Sequence, residues 1–505
     1  MFIRVDRTAP TPAYRQIYQS IQQLIVHGAL RPGAKLPSTR DLARDLGVNR
    51  ITVGRAFQLL ESQGFISSKV GDGTYVRPQL GRMGSPGKPL ARPDEESALR
   101  VWGPLFVNPR SAPRSLPSMP PSKGRGAASF VYAAPPPDLF PADDFRKCVD
   151  YALKCRIQEV CRVGAANGLA SLKEYLIGWL AQHDIAATQQ TLVITTGCQQ
   201  SLDLTRKLLL RPGEPMLLEN PTFPGAVGAL SPSGAGLTEL PVQEGGPDFR
   251  AVNSLASQNR CKLIYVTPTF QNPTGLTMST EQRLQLAELA IHHNIPIVED
   301  DVFGHLRYDG PAQPPLQSLC PNHVIYIGSF SKMLSPSLRL GWMVAPPPVA
   351  EQVTLTKQAS DLHTGTLIQA AMDEFCRRGL MIRHLKRIKR VFRSRRDAMA
   401  EAIHRWFPSE ARWTVPQGGL SMWVTLPGRF DTQELLKVAQ ERGVQFLPGS
   451  VFHFRSVTNN SMRLSFATEN EDTIAAGIKT LGELVTRRRP QLVRIGDWQD
   501  RQAIV

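Results

Sequence analysis

Val324-Ile325-Tyr326-Ile327-Gly328-Ser329-Phe330-Ser331-Lys332 continues through Met333-Leu334-Ser335-Pro336-Ser337-Leu338 to Arg339-Leu340-Gly341. Four β-prone apolar residues run into a glycine; two serine hydroxyls, an amine and, seven residues later, a guanidinium follow. A lysine just past a buried strand is partly desolvated, which lowers its pKa and frees a neutral amine to form a Schiff base. Ser329, Ser331 and Arg339 suit a phosphate dianion, the arginine through a paired, charge-assisted contact. Together they fit a phosphorylated aldehyde carried on Lys332.

The chain on either side repeats this design. Beyond residue 130 strands and helices alternate, the pattern of an α/β sheet covered on both faces. The apolar run at 191–195 turns at Thr196-Gly197 into a helix beginning Cys198-Gln199-Gln200, whose free amides suit a phosphate. Met216-Leu217-Leu218-Glu219 leads to Asn220-Pro221-Thr222-Phe223, and 263–268 leads to Asn272-Pro273-Thr274-Gly275. Ile295-Pro296-Ile297-Val298 leads to Glu299-Asp300-Asp301-Val302-Phe303. Polar groups thus fall repeatedly beyond strand ends, where open α/β sheets build their sites.

At 505 residues the chain predicts two or three domains. No apolar run approaches the roughly 20 residues of a membrane span, and residues 1–7 lack the apolar core of a signal peptide. A cytoplasmic protein with no membrane partner is the expectation. Seven cysteines without ligand-like spacing fit reduced thiols rather than disulfides or a metal site. The net charge of +16 is uneven: residues 1–128 hold 19 Lys and Arg against 8 Asp and Glu, the remainder 40 against 35. A basic head on a nearly neutral body points to a polyanion at the head.

Within that head, Ile17, Ile21, Leu24 and Ile25 mark a helix over 14–27, ended by Pro32-Gly33. A second helix begins after Ser38 as N-cap, with Leu42, Ala43 and Leu46 inward, and stops at Gly47. Asn49 caps a third, from about 50 to 62, that buries Val53, Ala56, Phe57 and Leu60 and leaves Arg50, Thr52 and Arg55 outward, as a recognition helix needs. Two short strands, 65–69 and 74–77, joined at Gly71-Asp72-Gly73, read as a wing. From 78 to 129 the composition turns to Pro, Gly, Ser and Arg without a period, a linker with an r.m.s. span of about 40 Å. Residues 489–505 read as a solvated tail.

Residues 10–77 resemble the winged helix-turn-helix of the GntR family of bacterial repressors in Leu36-Pro37-Ser38-Thr39-Arg40, Leu46-Gly47-Val48-Asn49-Arg50-Ile51-Thr52-Val53 and Gly71-Asp72-Gly73-Thr74-Tyr75-Val76. That resemblance implies contacts to double-stranded operator DNA from Ser38, Arg40, Asn49, Arg50, Thr52, Arg55 and Gly73. Residues 130–488 resemble the aminotransferase class of fold type I pyridoxal phosphate (PLP) proteins in the strand-end motifs above and in Met462-Arg463-Leu464-Ser465-Phe466. Head and body together are similar to the MocR group of GntR-type regulators. The implied architecture is α/β: a winged helix-turn-helix, a Pro/Gly-rich linker, then a PLP domain with a mainly parallel central sheet and a small C-terminal α/β subdomain.

By the same resemblance PLP sits on Lys332. Asp300 pairs with the pyridine nitrogen, while its neighbour Asp301 does not. Asn272 bonds the ring oxygen, Phe223 lies on the ring face, and Cys198, Gln199, Ser329, Ser331 and Arg339 hold the phosphate. Arg463 clamps the carboxylate of an incoming amino acid. Two positions depart from the pattern: Phe303 and Phe223 stand where tyrosine is common. Loss of the hydroxyl at 303 should cost on the order of 1 kcal/mol of cofactor binding and let the imine keep its proton to higher pH. The expected protein is a homodimeric transcription regulator that senses an amino acid, an amine or PLP itself. Its rival is a working aminotransferase with an accessory DNA-binding head.

Overall fold

Ile17, Ile21 and Ile25 recur every fourth residue, and the helix they specify, α1 (Ala13–Val26), buries all three. The computed structural model describes residues 3, 5–6, 11–26, 28–69, 72–77, 127–231, 236–242, 247–428, 430–455 and 459–487. The chain divides into two units, Met1–Phe106 and Val107–Val505. In the first, α1 packs with α2 (Thr39–Asp45) and α3 (Arg50–Ser62) around Leu42, Val53, Phe57 and Leu60. Both shorter helices start on side-chain caps: Ser38 accepts from the Asp41 amide and Asn49 from the Ile51 amide. Strands β1 (Lys35–Leu36), β2 (Ile66–Lys69) and β3 (Gly73–Val76) form an antiparallel sheet ordered β1-β3-β2. The sequence predicts the wing but not β1, because two residues offer no alternation to read.

The second unit begins its regular structure at β4 (Ala128–Ser129), two residues that the sequence assigned to the linker. The rest of the predicted linker, 78–126 with undescribed placement and Ala127, and the tail from 489 fall almost wholly outside the described residues. Seven strands make the central sheet: β5 (Leu192–Thr195), β6 (Pro215–Asn220), β7 (Gly236–Pro241), β8 (Ile264–Val266), β9 (Ile297–Asp300), β10 (Val324–Ser329) and β11 (Gly341–Val344). Their order is β5-β11-β10-β9-β8-β6-β7, all parallel except β11, which runs against both neighbours. Every residue of β9 and β10 is buried. Alternation sends Ile297, Val324 and Tyr326 to the core on one face and Val298, Ile325 and Ile327 to the core on the other.

A second sheet, ordered β12-β13-β16-β15, is antiparallel: β12 (Arg412–Trp413), β13 (Ser421–Thr425), β15 (Leu447–Pro448) and β16 (Ser461–Ser465). Between these, β14 (Val444–Gln445) pairs in parallel with β4. The long helix Leu380–Trp406 packs on the last one, Glu471–Arg487. Among the described residues no helix is long and apolar enough to cross a membrane.

Candidate functional site

In the first unit the outer surface of α3 opens with Asn49, Arg50, Ile51 and Arg55 exposed and Thr52 half-buried. Arg40, from the first turn of α2, is exposed as well. Ser38 is committed to its cap, donating to an Asp41 carboxylate oxygen at 2.6 Å while accepting from the Asp41 amide. Asn49 is likewise committed, to the Ile51 amide at 2.9 Å. Gly73 has φ +125°, and an added Cβ would lie 2.6 Å from Lys35 Cε, so a side chain is disfavoured there twice over. Ile51, 68% exposed on the first turn of the recognition helix, was not among the expected contacts. A lone apolar residue in a polar motif gave no signal until its burial was known.

In the second unit the parallel strands end together. Asp300 closes β9, and Ile327 of β10 pairs beside it, so Ser329, Ser331 and Lys332 follow at the same sheet edge. A cleft enclosing about 680 Å³ of atom-free space opens there. All ten predicted cofactor residues line it: Cys198, Gln199, Phe223, Asn272, Asp300, Phe303, Ser329, Ser331, Lys332 and Arg339. Tyr265, Thr267, Val302 and Pro336 complete the wall. Tyr265 escaped the sequence reading because a strand buried on both faces does not reveal which side chain meets a site.

Asp300 is held on one side only. Its Oδ2 accepts from Tyr265 Oη at 2.8 Å and from Cys198 Sγ at 3.2 Å, while Oδ1 is buried without a hydrogen-bond partner among the described residues. Burial pushes the carboxyl pKa up, and Tyr265, Cys198, the Val302 amide and the Lys332 charge pull against that. Asp301 turns elsewhere: Tyr326 Oη donates to it at 2.8 Å, and it lines a different cavity with Arg283, His305 and Arg307. Burial pushes the Asp301 carboxyl up to about 6.

Lys332 Nζ donates to the Ala133 carbonyl at 2.8 Å and lies 5.6 Å from the centre of the Phe303 ring. Burial, and next the Arg463 guanidinium, push its pKa down to about 8. Arg339 adopts the left-handed backbone region, φ +48°, which turns its guanidinium onto Gly197. A Cβ on Gly197 would stand 3.3 Å from both terminal nitrogens of Arg339, just before the helix Cys198–Leu209. Arg339 has no carboxylate within ion-pair distance among the described residues, so a helix N-terminus and an unpaired guanidinium converge.

Arg463, in β16, is 4% exposed. Its Nη1 donates to Asn272 Oδ1 at 3.0 Å and Nη2 to the Val131 carbonyl at 2.5 Å; Nε has no partner among the described residues. The Phe452 ring centre is 5.0 Å away. No carboxylate pairs with Arg463 among the described residues, and burial alone pushes its pKa down to about 10. Because the Asn272 oxygen is taken by Arg463, its NH2 is the end left to donate toward the cleft.

These features fit PLP by three independent observations: an orphaned buried carboxylate oxygen on Asp300, an unpaired arginine against a helix start, and a lysine with a depressed pKa. Residues 151–481 match the family described as aminotransferase class I and II, and residues 13–76 match the bacterial regulatory proteins of the gntR family. The chain is 31% identical over 472 residues to the HTH-type transcriptional regulator TauR of Rhodobacter capsulatus, covering 92% of this chain and 94% of TauR. It is 28% identical over 491 residues to the probable rhizopine catabolism regulatory protein MocR of Rhizobium meliloti, covering 94% of each. Among solved structures, LysN, the α-aminoadipate aminotransferase of Thermus thermophilus complexed with N-(5'-phosphopyridoxyl)-L-leucine, superposes with a TM-score of 0.68 at 34% identity, covering 72% of this chain and 93% of LysN.

Proposed function

Because the chain belongs to the MocR-type regulators, in which a GntR winged helix-turn-helix is joined to a domain of aminotransferase class I and II, we propose that it couples operator binding to the arrival of an amino acid or amine in the Lys332 cleft. It is a DNA-binding transcription regulator with an aminotransferase-like domain of a PLP-dependent class. The observation that carries the effector reading is Arg463, a buried cation without an anion, close enough to Lys332 to depress its pKa. Burying an unpaired guanidinium is costly, and a ligand carboxylate would relieve that cost with a bidentate contact. The amine of the same ligand would then face Lys332.

When bound, PLP supplies an aldehyde that exchanges one amine for another and a ring that withdraws electrons. The chain's own residues do the rest. Lys332, with a pKa of about 8, holds a usable neutral fraction near neutral pH. Asp300 Oδ1 is free to accept from a pyridine N–H, and Tyr265 and Cys198 fix the carboxylate plane that presents it. Arg339, Ser329, Ser331, Gln199 and the Cys198 amide would hold the phosphate. Phe223 and Asn272 would supply the ring contacts. On the DNA side, Arg50, Thr52 and Arg55 of α3, with Arg40 and the wing at Gly73, meet an operator duplex, while Ser38 and Asn49 orient their helices beneath them.

A homodimer in the cytoplasm completes the reading. Val163 and Leu362 are 80% and 61% exposed, and their neighbours Gly164 and His363 lie against each other, so two exposed apolar residues stand in one region that a second copy would cover. The test is a gel shift on the DNA upstream of the chain's own gene, with PLP and candidate amino acids, comparing wild type with Lys332→Ala. The expected result is an effector-dependent shift in the wild type alone; an unchanged response in the variant removes amine exchange from the mechanism. A second reading, a working aminotransferase, is favoured by the joint presence of Lys332, Asp300 and Arg463. Sustained turnover of an amino donor with a keto acid would establish it.

A further inference from the structure

Between Phe375 and Arg396 the chain carries ten lysines and arginines and no acidic residue, although residues 129–505 as a whole hold 40 Lys and Arg against 35 Asp and Glu. Most of this run lies on the helix Leu380–Trp406, whose inward face is apolar: Met381, Leu385, Ile388 and Phe392 are buried. The same periodicity puts Arg383, Lys386, Arg390 and Arg393 outward, at steps of three and four residues, and all four are exposed. They form a straight row about 15 Å long at 1.5 Å per residue.

Ordinary surface arginines on a long helix find carboxylates one turn away. Here Arg377 and Arg378, before the row, pair with Asp373, Glu174 and Glu374, and Arg396, after it, pairs with Asp309 and Asp397. Within the row, Arg393 alone has a carboxylate among the described residues, Asp309 at 2.8 Å. Arg383, Lys386 and Arg390 have none within ion-pair distance among the described residues. Arg387, alongside, donates to the Leu139 carbonyl rather than to an acid. Like charges at this spacing repel, so the row lowers the stability of its own helix unless an external anion lies along it.

We propose that this row is a second DNA contact, taking the phosphate backbone of duplex that runs beyond the bases read by α3. It rests on the DNA-binding reading above. A 15 Å row faces about four phosphates of one strand, at 3.4 Å of axis per phosphate. Arginine and lysine on a rigid helix neutralise them without reading sequence, so the row adds affinity and leaves specificity to the head.

The test uses the full-length, PLP-loaded protein and a duplex carrying the site that it selects from a random pool, flanked by about 20 base pairs on each side. Binding is titrated over a range of salt for wild type, for the triple variant Arg383→Gln, Lys386→Gln, Arg390→Gln, and for a charge-keeping control with Arg383→Lys and Arg390→Lys. Each lost phosphate contact lowers the slope of log affinity against log salt by about 0.9. The expected result is a slope smaller by about two to three in the triple variant, unchanged in the control, with the same selected sequence in all three. A wild-type slope retained by the triple variant overturns the proposal and leaves the row to some other acidic partner. Absence of any selected site for the wild type fails the DNA-binding reading itself, a result distinct from either.

Discussion

Arg463 and Lys332 place two cations in one buried neighbourhood, and the guanidinium therefore helps to set the protonation of the lysine. After burial, Arg463 is the largest cause that holds Lys332 near 8 rather than at 10.5. The sign follows: removing Arg463 raises the Lys332 pKa and shrinks the neutral fraction at pH 7. Arg463→Met should move the midpoint of the pH–rate profile for PLP uptake upward from about 8, read by absorbance as cofactor is added to apo-protein. A simple alkanoate bound at Arg463 should move the wild-type midpoint the same way and leave the variant unaffected. A midpoint indifferent to both would mean that burial alone sets the lysine. Phe303 gives a second test. It lines the cleft next to Lys332, and Phe303→Tyr adds one donor, expected to tighten PLP binding about fivefold, the equivalent of about 1 kcal/mol. Absorbance titration of the loaded protein should also show the protonated, yellow form persisting to higher pH in wild type than in the tyrosine variant.

Elements hold these residues in place, and their tolerances can be measured. In β10, a Cβ on Gly328 would lie 2.3 Å from the Trp342 indole of β11, a buried ring that packs edge-on to Phe330 at 5.0 Å. Gly328→Ala must push the two strands apart just before Ser329, and overpacking of this kind costs about 1–3 kcal/mol. Thermal unfolding of the body should shift down and PLP retention should fall with it. In α3, Ile51 is 68% exposed, and the thymine methyl is the apolar feature of the major groove that it could meet. Replacing operator thymines by deoxyuridine should weaken wild type at one or more positions by about fourfold, near the 0.8 kcal/mol of one methyl, and leave Ile51→Ala unchanged at those positions. The sequence made α3 legible to its ends because caps and a 3.6-residue period agree over thirteen residues. It made the strand-end motifs of the cleft legible because the polar residues there interrupt apolar runs. It could not disclose β1, too short for a period, or Tyr265, whose strand is apolar on both faces. Nor did it set the partners of Asp300 and Arg463, which come from residues 35 and 191 positions away.

At the scale of the whole molecule the regulator is a statement about two ligands, and thermodynamics ties them together without any assumption about how the two units are arranged. If an effector changes operator affinity by some factor, saturating operator must change effector affinity by the same factor in the opposite titration. A tenfold loss of operator binding therefore predicts a tenfold loss of effector binding when DNA is present, about 1.4 kcal/mol of coupling read twice. The two titrations, effector into protein with and without operator and operator into protein with and without effector, should agree within error. In Lys332→Ala both factors should collapse to one together. The proposed dimer enters as a control on the same cycle: Val163→Asp with Leu362→Asp, aimed at these exposed apolar residues, should lower the mass seen by light scattering to that of a single chain. If two half-sites are read by two linked heads, that variant should lose operator affinity while keeping PLP, because the second head no longer binds at the effective concentration its partner provides. Unequal coupling factors in the wild type would mean that the effector changes assembly rather than conformation, and the concentration dependence of the titrations would then identify which step it moves.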